Sequence, residues 1–163
     1  MCLFLNGVML RFYYLLDVFG YPIGRTYIMQ RAIPIETVVG FIEYRDTIHL
    51  DKIESNGNDW VFIGEFNGSH VTKSTDGRKW IPFRFTFMSV QNIFSYDIEC
   101  EPVELFSCGK DDGDVSCFQM IENSEFLKQL PIRDDISKEK LCHFCLRTYD
   151  LVFNLIATNY KLE

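Results

Sequence analysis

Several signatures that would announce a chemistry are missing from this chain. It contains no Gly-x-Gly-x-x-Gly and no Gly-x-x-x-x-Gly-Lys-Ser/Thr, so no glycine-rich cradle for a nucleotide phosphate can be traced. No apolar run reaches the roughly 18 residues that a spanning helix needs, so a membrane is not an expected partner. Met1 to Ile28 comes nearest, but Asn6, Arg11, Asp17 and Gly20-Tyr21-Pro22 interrupt it. That segment also lacks the basic start and small-residue cleavage site of a secretory signal. Cations are the minority, 16 Lys and Arg against 23 Asp and Glu, for a net charge of -7. Binding to a nucleic-acid backbone depends on Lys and Arg releasing counterions, so nucleic acid is not an expected partner either. Cysteine is too sparse, six in 163 residues, for a disulfide scaffold. Without a signal, the expectation is reduced, mostly buried thiols in a cytoplasmic protein.

What the chain does have is aromatic residues. They make up 15% of it, with fifteen Phe and eight Tyr, within a hydrophobic share of 47%. That composition is globular and points to a sheet-rich core with broad flat contacts. The length fits one domain, here 29–163. The apolar segment 1–28 supplies either a first strand or helix ended by Gly20 and Pro22, or an upstream extension with Met29 as an alternative start. The first of these is preferred.

The stretch from Asp59 to Glu101 organises the rest. Asp59 to Phe66, Trp80 to Val90 and Ile93 to Cys100 are rich in aromatic and β-branched residues and largely alternate, the mark of half-buried strands. In the second run Ile81, Phe83, Phe85 and Phe87 share one face. Pro82 cannot donate to a ladder and belongs at a strand start or an edge. Phe94, Tyr96, Ile98 and Cys100 line one face of the third run. Asp46 to Glu54 alternates through Ile48 and Leu50 and slips phase at Ile53, as a bulged strand would. Ser55-Asn56-Gly57-Asn58 is a hairpin turn that joins it to Asp59–Phe66.

The remaining segments are less regular. Ile35 to Tyr44 has helix-like apolar spacing weakened by Gly40, with strand as the alternative. Asn67 to Lys79 is a long loop or a short hairpin. Glu101 to Ser116 reads as an exposed loop, and Cys117 to Ile121 as a short strand. Asn123 is the expected N-cap of a short helix over 124–130, stopped by Pro131. Leu141 to Thr148 and Val152 to Leu162 are the last two strands. The sum is an α+β fold: a mainly antiparallel, strongly twisted sheet of about six to eight strands, open to curling into a partial barrel, with one or two short helices.

The groupings that suggest chemistry each have a plainer reading. Cys142-His143-Phe144-Cys145 has redox or zinc spacing, but a strand sends its two thiols to opposite faces, and no second Cys-x-x-Cys exists. Ser69, His70, Ser74 and Asp76 crowd one turn-rich loop without a nucleophile-elbow frame. His49 reads as a hydrogen-bonded residue at the core edge. Asp111-Asp112-Gly113-Asp114 lacks the rest of a calcium loop. Lys73, Arg78, Lys79 and Arg84 near Trp80 and Phe83 would suit a single nucleic-acid strand, but the overall acidity opposes it. No catalytic residue, cofactor or metal is expected. The acidic block from Asp97 to Glu125 is the feature suited to a basic partner, with Glu101, Glu104, Asp111, Asp112 and Asp114 as its contact residues.

Four short stretches carry a family likeness: Arg45 to Leu50, Phe85 to Val90, Glu122 to Leu127 and Thr148 to Phe153. Over the last two thirds of the chain it resembles small bacterial immunity-like proteins associated with polymorphic-toxin loci. That resemblance implies a cytoplasmic, non-catalytic module that binds one protein partner, such as a toxin. The alternatives are a small-ligand-binding β-rich domain and an enzyme with an unrecognised site.

Overall fold

The computed structural model describes residues 30–73, 77–97, 99, 116–132 and 136–163, with the backbone alone at Arg45 and in four short strands before residue 24. Those four are β1 (Cys2–Leu5), β2 (Val8–Arg11), β3 (Leu15–Leu16) and β4 (Pro22–Ile23), paired antiparallel as β1 with β2 and β3 with β4. The main body follows with β5 (Arg31–Pro34), β6 (Ile48–Asn56), β7 (Asp59–Asn67), β8 (Trp80–Met88), β9 (Asn92–Asp97) and β10 (Phe118–Glu122). It ends with a single α-helical turn, α1 (Glu125–Gln129), then β11 (Cys142–Arg147), β12 (Leu151–Ala157) and β13 (Asn159–Leu162).

Nine of these strands form two antiparallel sheets. One has the order β5-β10-β11-β12-β9 and the other β13-β8-β7-β6. The α+β, mainly antiparallel architecture read from the sequence is what the structure shows, with the strands shared between two facing layers that do not close into a barrel. Period-two patterning decides which side chains lie between them. β8 presents Ile81, Phe83, Phe85 and Phe87 inward, and all four are buried. Phe62 and Phe66 of β7 join from the same sheet, and Phe118, Phe144 and Phe153 come from the other. The rings meet at centroid distances of 4.4 Å (Phe66–Phe83), 4.8 Å (Phe85–Phe118) and 5.0 Å (Phe62–Phe153). Each such pair adds about 0.5–1.5 kcal/mol beyond the burial of its area.

The sheets are joined at a corner where two strands change layer together. β8 runs into β9 through Ser89, and β12 runs into β13 through Thr158. The Met88 carbonyl accepts bonds from both Thr158 N and Thr158 Oγ1 at 3.0 Å, and Gln91 N donates to the Ile156 carbonyl at 2.8 Å. The run expected as one strand, Val152 to Leu162, is therefore two strands in different sheets. Polar residues occur before, at and after the bend, at Asn154, Thr158, Asn159 and Lys161, and do not mark it.

The β6–β7 hairpin turns at Gly57-Asn58, with Gly57 at φ 62°, and its register slips between Leu50 and Lys52. That slip is the bulge that the phase change at Ile53 implied. At the bulge Gly64 lies against the His49 carbonyl, leaving no room for a Cβ. Pro82 pairs with Glu65 on β7, while β13 pairs only Phe85 to Met88, so its missing donor faces the side that β13 leaves open.

Two local expectations need correcting. The segment 35–44 forms neither helix nor strand. Thr37 and Gly40 close a tight turn, and Val39, Phe41 and Glu43 bond backbone groups of residues 70–73 in place of a helical ladder. At α1 the N-cap is Ser124, one residue later than expected. Its hydroxyl accepts from Leu127 N at 3.0 Å, while Asn123 makes the turn out of β10 at φ 54°.

Candidate functional sites

Two groupings of polar and aromatic side chains stand out. The first is exposed. It lies where the start of β6 meets the β11–β12 turn, joined by Tyr149 N donating to the Ile48 carbonyl at 3.0 Å. The His49 ring sits edge-on to Trp80 at 4.9 Å and stacked on Tyr149 at 5.5 Å. Its Nε2 is 3.1 Å from the Asp46 carbonyl. On the far side of Asp46, the carboxylate lies 3.5 Å from His70 Nδ1, and the His70 ring is 5.1 Å from that of Tyr44. Tyr44, Trp80 and Tyr149 are 62%, 39% and 48% exposed. Asp46 and Asp150 are exposed beside these rings, as is Glu65, the cross-strand partner of His49. Lys79 Nζ lies 5.8 Å over the Trp80 ring, within reach of a cation–π attraction.

Tyr44 is held at φ 65°, ψ 148°, a backbone region that is essentially glycine's own. Such a placement costs about 1–3 kcal/mol. Its carbonyl accepts from Thr47 N at 3.3 Å and from the Cys117 thiol at 2.7 Å, and it shares the single Thr47 hydroxyl proton, at 2.9 Å, with the Glu43 carbonyl. A mostly exposed ring recovers little of that cost by burial.

The second grouping is buried, on the face of the five-stranded sheet that looks away from the phenylalanine core. His143 of β11 is 1% exposed. Its Nδ1 is 2.7 Å from Ser124 Oγ, and its Nε2 is 2.9 Å from Asn154 Oδ1 on β12. The carboxamide oxygen can only accept, so Nε2 carries the proton and Nδ1 accepts from the serine hydroxyl. Burial pushes His143 down to about 4, and the bond to Asn154 opposes that only in part. Asn154 Nδ2 finds no hydrogen-bond partner among the described residues. A buried donor left unpaired costs about 1–3 kcal/mol. Beside Ser124 and His143 opens a cleft of about 460 Å³, walled by Ile121, Leu127 and Leu141 and rimmed by Lys128, Lys138 and Glu139.

The residues singled out in the sequence fare differently. Glu101, Glu104, Asp111, Asp112 and Asp114 lie outside the described residues, as do Ser74, Asp76, Ile98, Cys100 and Cys108. Cys142 packs on the phenylalanine core and Cys145 on the opposite face with Ile121 and Val152, so the Cys-x-x-Cys thiols point apart as a strand requires. The Cys117 thiol is pushed up to about 12 by burial, a rise that the Arg147 charge offsets in part. Of the basic residues expected near Trp80, Lys79 stays over its ring, while Lys73 and Arg84 part from it. Phe83 is in the core, Lys73 pairs with Glu36 at 3.1 Å, and Arg84 lies with Glu54 along a groove on the outer sheet face. Among the described residues no three His, Cys, Asp or Glu side chains converge to hold a metal, and no helix is long and apolar enough to cross a membrane.

Sequence reasoning missed both groupings. His143 was hidden inside a cysteine motif, and its partners are 19 and 11 residues away. The exposed rings come from four separate segments. Comparison with known proteins found no matching family model, no curated protein of significant similarity and no solved structure of significant similarity.

Proposed function

We propose that this chain is a protein-binding module of the immunity, toxin-neutralising type, and that it engages a basic partner through the exposed rings of Tyr44, Trp80 and Tyr149, the last two packed on the half-buried His49 ring. The observation that carries the reading is Tyr44, an exposed aromatic side chain kept in a costly backbone conformation by the bonds that its carbonyl accepts from Thr47 N and the Cys117 thiol. Strain of that kind collects where a side chain must be presented. Tyr and Trp are the residues that most often dominate binding energy at interfaces, because they offer large rigid contact area with few torsions to freeze. The surrounding carboxylates Asp46, Glu65 and Asp150 and the net charge of -7 favour a cationic partner and a fast, salt-sensitive association. Lys79 over Trp80 already occupies one ring in the way that an incoming Lys or Arg would.

The test uses the product of the gene adjacent to the one encoding this chain. Binding is measured by calorimetry for the wild type and for the Trp80→Ala/Tyr149→Ala double variant. Loss of two central aromatic anchors should weaken the complex by at least about 2 kcal/mol, near thirtyfold. Equal affinity of wild type and double variant would remove the patch from the interface. A neighbour product that binds neither would remove the toxin-neutralising reading itself.

A further inference from the structure

We propose that Ser124 is the nucleophile of an ester-cleaving site, with His143 as its base and Asn154 as the residue that positions the base. The inference goes beyond partner binding. It concerns the Ser124 end of β11, whereas the exposed rings gather at the Tyr149 end.

Four features combine. The chain passes from β10 through a positive-φ residue, Asn123, to Ser124 and then α1, so the serine stands on a sharp strand-to-helix turn. Its Oγ accepts the Leu127 amide, which leaves His143 Nδ1 to receive the hydroxyl proton at 2.7 Å. The Asn154 carboxamide holds the opposite ring nitrogen at 2.9 Å and fixes the tautomer that makes Nδ1 an acceptor. Nucleophile, base and a third group that orients the base are the arrangement by which hydroxyls are activated in proteins. A helix cap alone would need only the serine, whereas this trio keeps an imidazole and a carboxamide buried with Asn154 Nδ2 unpaired among the described residues. The open cleft of about 460 Å³ beside the serine has apolar walls suited to a short-chain aliphatic ester.

In the reaction, Ser124 Oγ bonds to the acyl carbon as its proton passes to His143 Nδ1. The bond from the acyl carbon to the alcohol oxygen breaks, and His143 returns the proton to the departing alkoxide. Water then repeats the sequence. It gives a proton to Nδ1 while its oxygen bonds to the acyl carbon, and the serine oxygen leaves and is reprotonated. The products are an alcohol and a carboxylic acid. His143 is neutral at neutral pH and so holds its lone pair ready.

The experiment is labelling of the full chain with a small alkyl fluorophosphonate, read by intact mass and by peptide mapping, alongside hydrolysis of p-nitrophenyl butyrate. The expected result is one adduct per chain at Ser124, absent in Ser124→Gly. Glycine keeps most of the N-cap preference, so that variant should fold. Between pH 5 and 8 the wild-type labelling rate should be nearly flat. In Asn154→Asp, whose carboxylate would stabilise an imidazolium, the rate should fall within that range as pH drops. A folded wild-type chain that stays unlabelled, or that is labelled at another residue, overturns the proposal and leaves the trio as a helix-capping network.

Discussion

Acid should destabilise this protein through His143 in a window that the structure defines. The imidazole is buried between Ser124 and Asn154, and burial holds it at about 4 in the folded chain against an ordinary value near 6.5. The folded state therefore resists a proton that the unfolded state accepts. Above pH 6.5 neither state is protonated, and the full stability is present. As pH falls from 6.5 toward 4 the unfolded state gains a proton that the folded state lacks, and stability drops. Below about 4 both are protonated and the loss levels off. One pKa unit corresponds to about 1.4 kcal/mol, so the whole loss is about 3 kcal/mol. That is a large share of the 5–15 kcal/mol or so that a typical domain has.

The assay has two arms. NMR titration of the three histidine ring signals should show His143 still neutral at pH 5. Urea unfolding of wild type and His143→Gln should show the wild type losing about 3 kcal/mol relative to the variant between pH 7 and pH 4, because the carboxylates common to both cancel in the difference. A His143 midpoint near 6.5, or a difference independent of pH, would refute the reasoning.

Three further outcomes follow from the packing. Gly64→Ala should cost about 1–3 kcal/mol in chemical denaturation, because its Cβ meets the His49 carbonyl rather than a movable side chain; a neutral effect would mean that the β6 bulge yields. Phe85→Ala should cost about 3–5 kcal/mol, since Phe85 is fully buried among the rings of Phe66, Phe83, Phe87 and Phe118. Phe94→Ala, at a ring 41% exposed, should cost much less, and equal losses would misplace the core. Cys117, with its thiol near 12, should resist iodoacetamide at pH 8 in the folded protein, and modification at the rate of a free thiol would contradict its burial.

The fold was legible where a local rule has one solution. Alternation in β8 sends Ile81, Phe83, Phe85 and Phe87 to one side whatever else the chain does. Asn56-Gly57-Asn58 favours a tight turn, and a phase slip at Ile53 needs a bulge. The same rule separated Cys142 from Cys145. Legibility ended where an element depends on partners distant in sequence. The apolar spacing of 35–44 satisfies a helix, yet its backbone groups found residues 70–73. Val152 to Leu162 reads as one strand, yet Thr158 bends it into the second sheet because Met88 is there to receive its hydrogen bonds.

The sequence by itself determined the class of the protein: antiparallel layers with phenylalanine turned inward, an acidic balance and thiols without a mate of matching spacing. Those properties rest on composition and on a two-residue period, both written locally. Only the tertiary structure decided that His49, Trp80 and Tyr149 share one surface, and that Ser124, His143 and Asn154 share one hydrogen-bonded chain. The reason is register. Strands adjacent in a sheet can be far apart in sequence, and which side chains meet across them depends on how turns and corners align the ladders. No single segment encodes that alignment.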